Sequence, residues 1–119
     1  MSRWRRIASI EGDVLLGGRG EARVLERGGS GVLLEVRFGA GVYSAVHRHA
    51  HDSYLYLLTG HLSGTVDGDP VEVRAGASLT HRAGVDHSVV AVVDSRWLEF
   101  KTQASSPAQD RNGFIQFMA

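Results

Sequence analysis

The sequence contains no cysteine, one lysine and no apolar run that approaches the ~20 residues a membrane-spanning helix needs. Without cysteine, a disulfide scaffold and a thiolate metal site are both excluded, so any metal ligand must be histidine, carboxylate or water. The N-terminus is basic, but Glu11 and Asp13 follow too soon for the apolar segment of a signal peptide. We therefore expect a cytoplasmic protein with no membrane partner.

An excess of charge is also missing. The 13 basic and 13 acidic residues give a formal net charge of zero. A nucleic-acid-binding protein needs cationic side chains to neutralise phosphates. Nucleic acid is therefore not expected as a partner.

The length of 119 residues is enough for one domain and too short for two. Hydrophobic residues make up 43% and charged residues 22% of the chain, which is typical of a soluble globular protein rather than a disordered one. We expect a single domain over residues 1–119, with the main body at about 21–102, an N-terminal segment at 1–20 and a tail at 103–119.

Fifteen glycines and several period-2 apolar patterns predict many short strands joined by tight turns. No segment shows a sustained 3.6-residue period, so a long helix is not expected. The pattern favours an all-β sandwich or barrel. The predicted strands are Glu21–Arg27, Val32–Phe38, Val42–His49, Ser53–Thr59, Leu62–Asp67, Val71–Arg74, Ser78–His81, His87–Val93 and Arg96–Thr102.

The tail ends in an apolar group formed by Phe114, Ile115, Phe117 and Met118. Such an end packs either on its own barrel or on a neighbouring subunit, and the sequence leaves both alternatives open.

All six histidines lie between residues 47 and 87, and His47, His49 and His51 alternate. In a strand, residues i and i+2 point to the same face, so His47 and His49 can present two imidazoles to one point. Neutral imidazole is a ligand for Zn, Fe, Ni and Cu. By itself the pair does not distinguish a metal site from an exposed histidine pair.

The residues around this pair follow a recognisable pattern. Gly41 is followed by five residues, the pair His47 and His49, three more residues, Ser53, six residues and Gly60. This resembles the first motif of the cupin family, with Ser53 in the position of the family's glutamate.

A second pattern begins at Gly76, with fifteen residues between it and Gly60. Gly76 is followed at the family's intervals by Arg82, Gly84, His87 and Ala91. This resembles the second cupin motif, with Arg82 in place of proline and Ala91 in place of asparagine.

The resemblance implies an antiparallel jelly-roll β-barrel with one divalent metal ion bound inside by His47, His49 and His87. Ser53 is too short to be an equivalent fourth ligand. His51 and Asp52 are alternative ligands if their turn folds inward, but we expect both in an exposed turn. The resemblance leaves the ion open among Fe, Ni, Zn, Mn and Cu, and without the carboxylate it should keep its full charge and favour an anionic or chelating small molecule.

The remaining site candidates follow from alternation around Ser53. An inward Ser53 turns Leu55 and Leu57 inward and turns Tyr54, Tyr56 and Leu58 outward, against a second layer or a partner subunit. Together with the family's habit of dimerising, this predicts a homodimer.

The positions of three other residues are predicted less specifically. Tyr43 is expected to pack between sheets or in an interface, His61 to lie at the surface or rim, and His81 to line the barrel mouth or bond a neighbour.

The function expected from this pattern is a metal-dependent enzyme, with oxygenase, isomerase or lyase chemistry left open by the fold. Ser53 and His51 are the candidate catalytic residues, and Asp52 and Asp86 are weaker candidates for a general base. The alternative is a non-catalytic cupin that binds or senses a small molecule. A storage barrel is a third class, disfavoured by the short chain.

Overall fold

The computed structural model describes residues 3–103 and 115–119. The described part is built from antiparallel strands only, in agreement with the expected fold class. The strands are β1 Arg5–Ile10, β2 Asp13–Val14, β3 Gly20–Gly28, β4 Gly31–Phe38, β5 Tyr43–His47, β6 Ser53–Thr59, β7 His61–Val66, β8 Asp69–Arg74, β9 Ser78–His81, β10 His87–Ala91, β11 Ser95–Thr102 and β12 Ile115–Phe117.

Two sheets form the barrel. The larger has the strand order β12-β1-β3-β4-β11-β6-β9, with β2 paired to β1, and the smaller has the order β5-β10-β7-β8. The apolar faces of both sheets meet in one core, where Trp97 packs edge-on against Phe38 with ring centroids 4.7 Å apart. Among the described elements no helix is long and apolar enough to cross a membrane.

Several predicted boundaries differ from the observed ones. The sequence predicts His47 and His49 on one strand. In the structure β5 ends at His47, and His49 lies in the loop that follows. The loop between β7 and β8 is shorter than predicted and consists of Asp67 and Gly68 alone. Pro70 is accommodated because β8 is an edge strand of its sheet.

Strands also occur outside residues 21–102. β1 joins the larger sheet through β3, and β12 pairs with β1 in register Ile7 to Phe117. The described end of the tail, Ile115–Phe117, therefore packs on its own barrel, which is the first of the two alternatives that the sequence leaves open. Phe114, the other residue expected there, lies outside the described residues.

The hairpin between β1 and β2 has an unusual turn. Ile10 pairs with Asp13, and the two residues between them, Glu11 and Gly12, have φ angles of 55° and 86°. Two consecutive positive φ angles in a two-residue loop define a type I′ turn. Aspartate and asparagine tolerate the first position, as Asp67 does with φ 52° between β7 and β8, whereas a longer side chain such as glutamate is uncommon there.

A row of ion pairs around one buried carboxylate crosses the larger sheet. Glu35 on β4 is 4% exposed and bonds Arg23 of β3 through Oε1 at 2.6 Å and Arg96 of β11 through Oε2 at 2.6 Å. Burial raises the pKa of this carboxyl, but the two guanidinium groups outweigh it and bring the pKa below its ordinary value. The ionised form of Glu35 therefore stabilises the fold.

We expect Glu35→Gln to lower the free energy of unfolding by about 1–2 kcal/mol, because charge-assisted bonds to partly exposed arginines are lost. Since the folded-state pKa of Glu35 is depressed, the difference from wild type is present above the ordinary glutamate pKa of 4.5 and disappears as the pH falls through the lowered value. Urea denaturation at a series of pH values measures both the loss of unfolding free energy and its pH dependence. The matched control is Glu21→Gln, which removes a single and more exposed pair with Arg37; equal losses in the two variants would contradict the expectation.

Candidate metal centre

Three histidines converge where β5 and β10 pair. His47 at the end of β5 is in register with His87 at the start of β10, and their ring centroids are 4.4 Å apart. His49, in the loop after β5, places its ring 4.7 Å from that of His87. One ligand atom from each of the three residues lies within 4.8 Å of the other two, so the group could hold a metal ion.

The second nitrogen of each ring decides which atom can bind a metal. The Nδ1 atoms of His47, His49 and His87 lie 2.8, 2.7 and 3.0 Å from the backbone carbonyl oxygens of Ala45, His51 and Val85. Because a carbonyl only accepts, each Nδ1 must carry the proton and donate it. Nε2 is left with its lone pair, which is the tautomer that metal-ligating histidines adopt when a backbone acceptor orients them.

The charge state of the rings also suits a metal. Burial lowers the pKa of His49 to about 4, although the nearby Glu11 carboxylate opposes this shift. Burial likewise lowers the pKa of His87 to about 4, against the opposing bond to Val85. Both rings are therefore neutral near pH 7, and a neutral imidazole is the form that binds metal ions.

Two further histidines flank the triad. His51 is 2% exposed and stacks on His49 with centroids 4.0 Å apart and planes 7° apart. The expectation that His51 lies in an exposed turn is therefore wrong: its side chain turns inward and lies against a carboxylate oxygen of Glu11, 3.1 Å from its Nε2. Asp52 is only half-buried, and its Oδ1 accepts a hydrogen bond from the Ala83 amide.

His81 mirrors His51 on the other side. Its ring stacks on His87 at 3.9 Å, its exposed fraction is 6%, and burial lowers its pKa to about 3. Its Nε2 is buried without a hydrogen-bond partner among the described residues. His61 stands apart from this group: it is half-buried and pairs with Glu72 on β8, consistent with the expected rim position.

Ser53 lies beside a buried charge network. Its hydroxyl is 1% exposed and accepts a hydrogen bond of 3.3 Å from Nζ of Lys101, its neighbour in register on β11. The same ammonium donates to Oε1 of Glu11 at 2.9 Å and to Oε2 of Glu99 at 2.8 Å. The single lysine of the chain thus fills the space beside the serine that replaces the family's glutamate.

All three charged groups of this network are ionised. Burial raises the pKa of Glu99, but Lys101 and the indole of Trp97 bring it down to about 2. Burial also raises the pKa of Glu11, which Lys101 and His51 then lower below its ordinary value. Burial would lower the pKa of Lys101, but the two carboxylates hold it above its ordinary value.

The network was not recognised in the sequence. One signal was available: with Trp97 directed inward on the predicted strand Arg96–Thr102, alternation directs Glu99 and Lys101 inward as well. No sequence pattern connects Glu11 to them, because it is 90 residues from Lys101.

A small cavity lies next to the triad. It has a volume of about 30 Å³, enough for a water molecule or two, and its walls include His47, His81, His87, Glu99 and Lys101. Leu55, which was predicted to face inward, forms part of its apolar wall. Leu57, Ser53 and His51 are not among the residues that line it in the described part of the chain. A larger surface depression of about 430 Å³ is lined by Arg19, Arg37 and Arg96 and contains none of the histidines.

The chain belongs to the cupin family: the cupin domain model matches residues 34–100, more than half of the sequence. Both motifs and the histidine triad lie inside the matched segment. A comparison with curated proteins finds no match.

Solved structures show the same fold at low identity. A predicted oxalate decarboxylase from Thermotoga maritima superposes with a TM-score of 0.73 at 19% identity and covers 85% of this chain and 92% of its own. An RmlC-like cupin from Shewanella frigidimarina gives a TM-score of 0.69 at 23% identity, with 82% and 90% coverage. KdgF from Halomonas gives 0.68 at 18% identity, with 75% and 83% coverage. At this identity the likeness establishes the barrel and not the reaction.

Proposed function

We propose that this cupin is a metal-dependent enzyme that acts on a small anionic or carbonyl-containing molecule, with His47, His49 and His87 as the metal ligands. The observation that carries the proposal is the convergence of three imidazoles whose Nδ1–H groups are all anchored to backbone carbonyls. Histidines with a purely structural role need not share one tautomer. Three histidines that bind one ion through Nε2 must all carry their proton on Nδ1. The motif resemblance supports the same three residues.

The chain's own groups would do the following. The three Nε2 atoms hold a divalent ion, which when bound supplies a Lewis acid or an activated water. A nitrogen-only set suits Fe, Ni, Cu or Zn better than Mn. His81 and His51, stacked on two of the ligands, restrict the rotation of those rings.

Acidic side chains lie near the expected ion even though Ser53 replaces the family's glutamate. Within the described residues, Glu11 and Glu99 share the ammonium of Lys101. Two carboxylates and one ammonium cannot cancel the charge of a divalent ion, so the loaded site would stay positive and would favour a monoanion or a chelating oxyacid. The predicted activity named for the Thermotoga maritima structure, oxalate decarboxylase, concerns a small carboxylate of this kind.

Changing His87 to alanine is expected to abolish stoichiometric metal binding, because His47 and His49 alone supply two of three protein bonds. The measurement is elemental analysis and equilibrium dialysis with Co²⁺ on protein purified without an affinity tag. His61→Ala is the matched control, since it removes a histidine that lies outside the cluster. Full retention of the ion by His87→Ala, with circular dichroism unchanged, would reject the three-histidine site.

Turnover separates the enzyme from the alternative, a non-catalytic cupin that binds or senses a small molecule. Both functions require the small cavity to open, because neither a substrate nor a ligand of organic size fits its present volume. Metal-loaded protein is incubated with oxalate and related oxyacids while O₂ uptake, CO₂ release and heat of binding are recorded. Binding without turnover for every compound would leave only the sensory or binding function.

We also propose that the protein is a homodimer joined through the outer face of the larger sheet. Tyr54 and Tyr56 are each 45% exposed on β6, and Phe100 and Leu98 of β11 pair with them in register. Leu33 of β4 extends the row beyond Phe100. Tyr43, which is 39% exposed on β5, lies on the smaller sheet. A formal net charge of zero puts no repulsion between two copies.

Light scattering at micromolar concentration should therefore give twice the chain mass, and Tyr56→Arg should reduce it to one chain because a buried unpaired guanidinium opposes the contact. Val92→Arg, in the exposed turn before β11 and 48% exposed, is the control that should remain dimeric. A wild-type protein of single-chain mass would refute the interface.

A further inference from the structure

A carboxylate reaches the histidine cluster from an unexpected part of the chain. One oxygen of Glu11 and one ring nitrogen each of His49 and His51 lie within 4.8 Å of one another. His49 is also a member of the three-histidine triad, so the two groups share one residue. The side chain of Glu11 is only 2% exposed.

The two oxygens of Glu11 are in different situations. Oε1 accepts from Nζ of Lys101 at 2.9 Å and lies 3.1 Å from Nε2 of His51. Oε2 is buried and has no hydrogen-bond partner among the described residues. A buried carboxylate oxygen without a partner carries a desolvation cost that a bound cation would remove.

The backbone at Glu11 shows that the position is specialised. Glutamate occupies the first position of a type I′ turn with φ 55°, where aspartate or asparagine would be accommodated more easily. A strained backbone position is a reason to look for a function of its side chain. A shorter acid at this position would not extend as far into the barrel.

The positions of the acidic groups point the same way. Glu11 and Glu99 share the single ammonium of Lys101. Glu11 lies beside His49, and Glu99 lines the cavity together with His47 and His87. Both acidic groups are therefore close to the place where a divalent ion would be bound.

We propose that Glu11 supplies the carboxylate ligand that Ser53 cannot: its Oε2 binds the ion held by His47, His49 and His87, while its Oε1 stays anchored to Lys101. This inference rests on the proposed three-histidine site. Glu11 is grouped with His49 and His51 and not with His47 and His87, so its carboxylate would have to turn toward the triad for Oε2 to complete the site. His51 is a positioning residue, because it contacts both Glu11 and His49.

The test is the affinity of the full-length, untagged protein for Co²⁺, measured by competition with a chromophoric chelator, together with the visible spectrum of the bound ion. Glu11→Gln is expected to weaken binding by about 10–100-fold, at least the effect of losing an outer-shell partner. It should also change the Co²⁺ spectrum, because one oxygen ligand is lost. The matched control is Glu99→Gln, which removes the same charge from the same ammonium.

A second variant separates ligation from charge. Glu11→Gln/Lys101→Met removes one negative and one positive charge, so the net charge of the network is unchanged, and Glu99 keeps its hydrogen bond from the Trp97 indole. Circular dichroism checks that this variant folds. It should bind Co²⁺ as weakly as Glu11→Gln. Ser53→Glu placed in the Glu11→Gln background should recover affinity, since it returns a carboxylate to the family's position.

Three results would overturn the proposal: a difference of less than about tenfold between Glu11→Gln and Glu99→Gln, wild-type affinity in the double variant, or an unchanged Co²⁺ spectrum in Glu11→Gln. Each of these leaves the three-histidine site intact provided that His87→Ala still loses the ion. Retention of the ion by His87→Ala is instead the failure of the proposed function itself, so the two failures are distinguishable.

Discussion

The rest of the site depends on the hydrogen bonds that the buried ammonium of Lys101 donates. The ammonium joins three parts of the chain that are distant in sequence: the turn after β1 through Glu11, strand β6 through Ser53, and its own strand β11 through Glu99. Each ammonium hydrogen has an acceptor, which is the condition under which a charge can be tolerated in a protein interior. The network in turn holds the buried carboxylate of Glu11 beside His49, so a residue outside both motifs positions an acidic group of the histidine cluster.

Much of the barrel could be predicted because alternation is a local property. Ser53, Leu55 and Leu57 are buried and Tyr54 and Tyr56 are exposed, as a period-2 strand requires. The strand ends were less accurate, since hydrogen bonding across the sheet decides where pairing stops: β5 ends at His47, and His49 reaches the cluster from a loop. The spacing of the motifs still identified the three histidines that come together, because the interval between them reflects the family's geometry rather than one strand's periodicity.

The remainder of the site was inaccessible to sequence reasoning for a physical reason. His51 looked like a turn residue because polar residues in turns are usually solvated; its burial depends on stacking against His49 and on the Glu11 carboxylate, contacts that exist only once the barrel is closed. Glu11 itself gave no signal, since nothing in a local pattern indicates that a turn near residue 11 folds over the barrel's interior. Charge partners brought together by closure of the fold are visible only in three dimensions.

The 90-residue separation between Glu11 and Lys101 has a consequence for the order in which the molecule assembles. Contacts between such distant residues require nearly the whole chain to be ordered, and the entropy lost in closing so long a loop delays them relative to local hairpins. The β7–β8 hairpin can form early, and His47 and His87 can meet once β5 and β10 pair. The ion pair forms only when both segments are in place, so the buried charge network is completed in the final step of folding. A metal ion that bound the histidines earlier would find a site without its acidic neighbours.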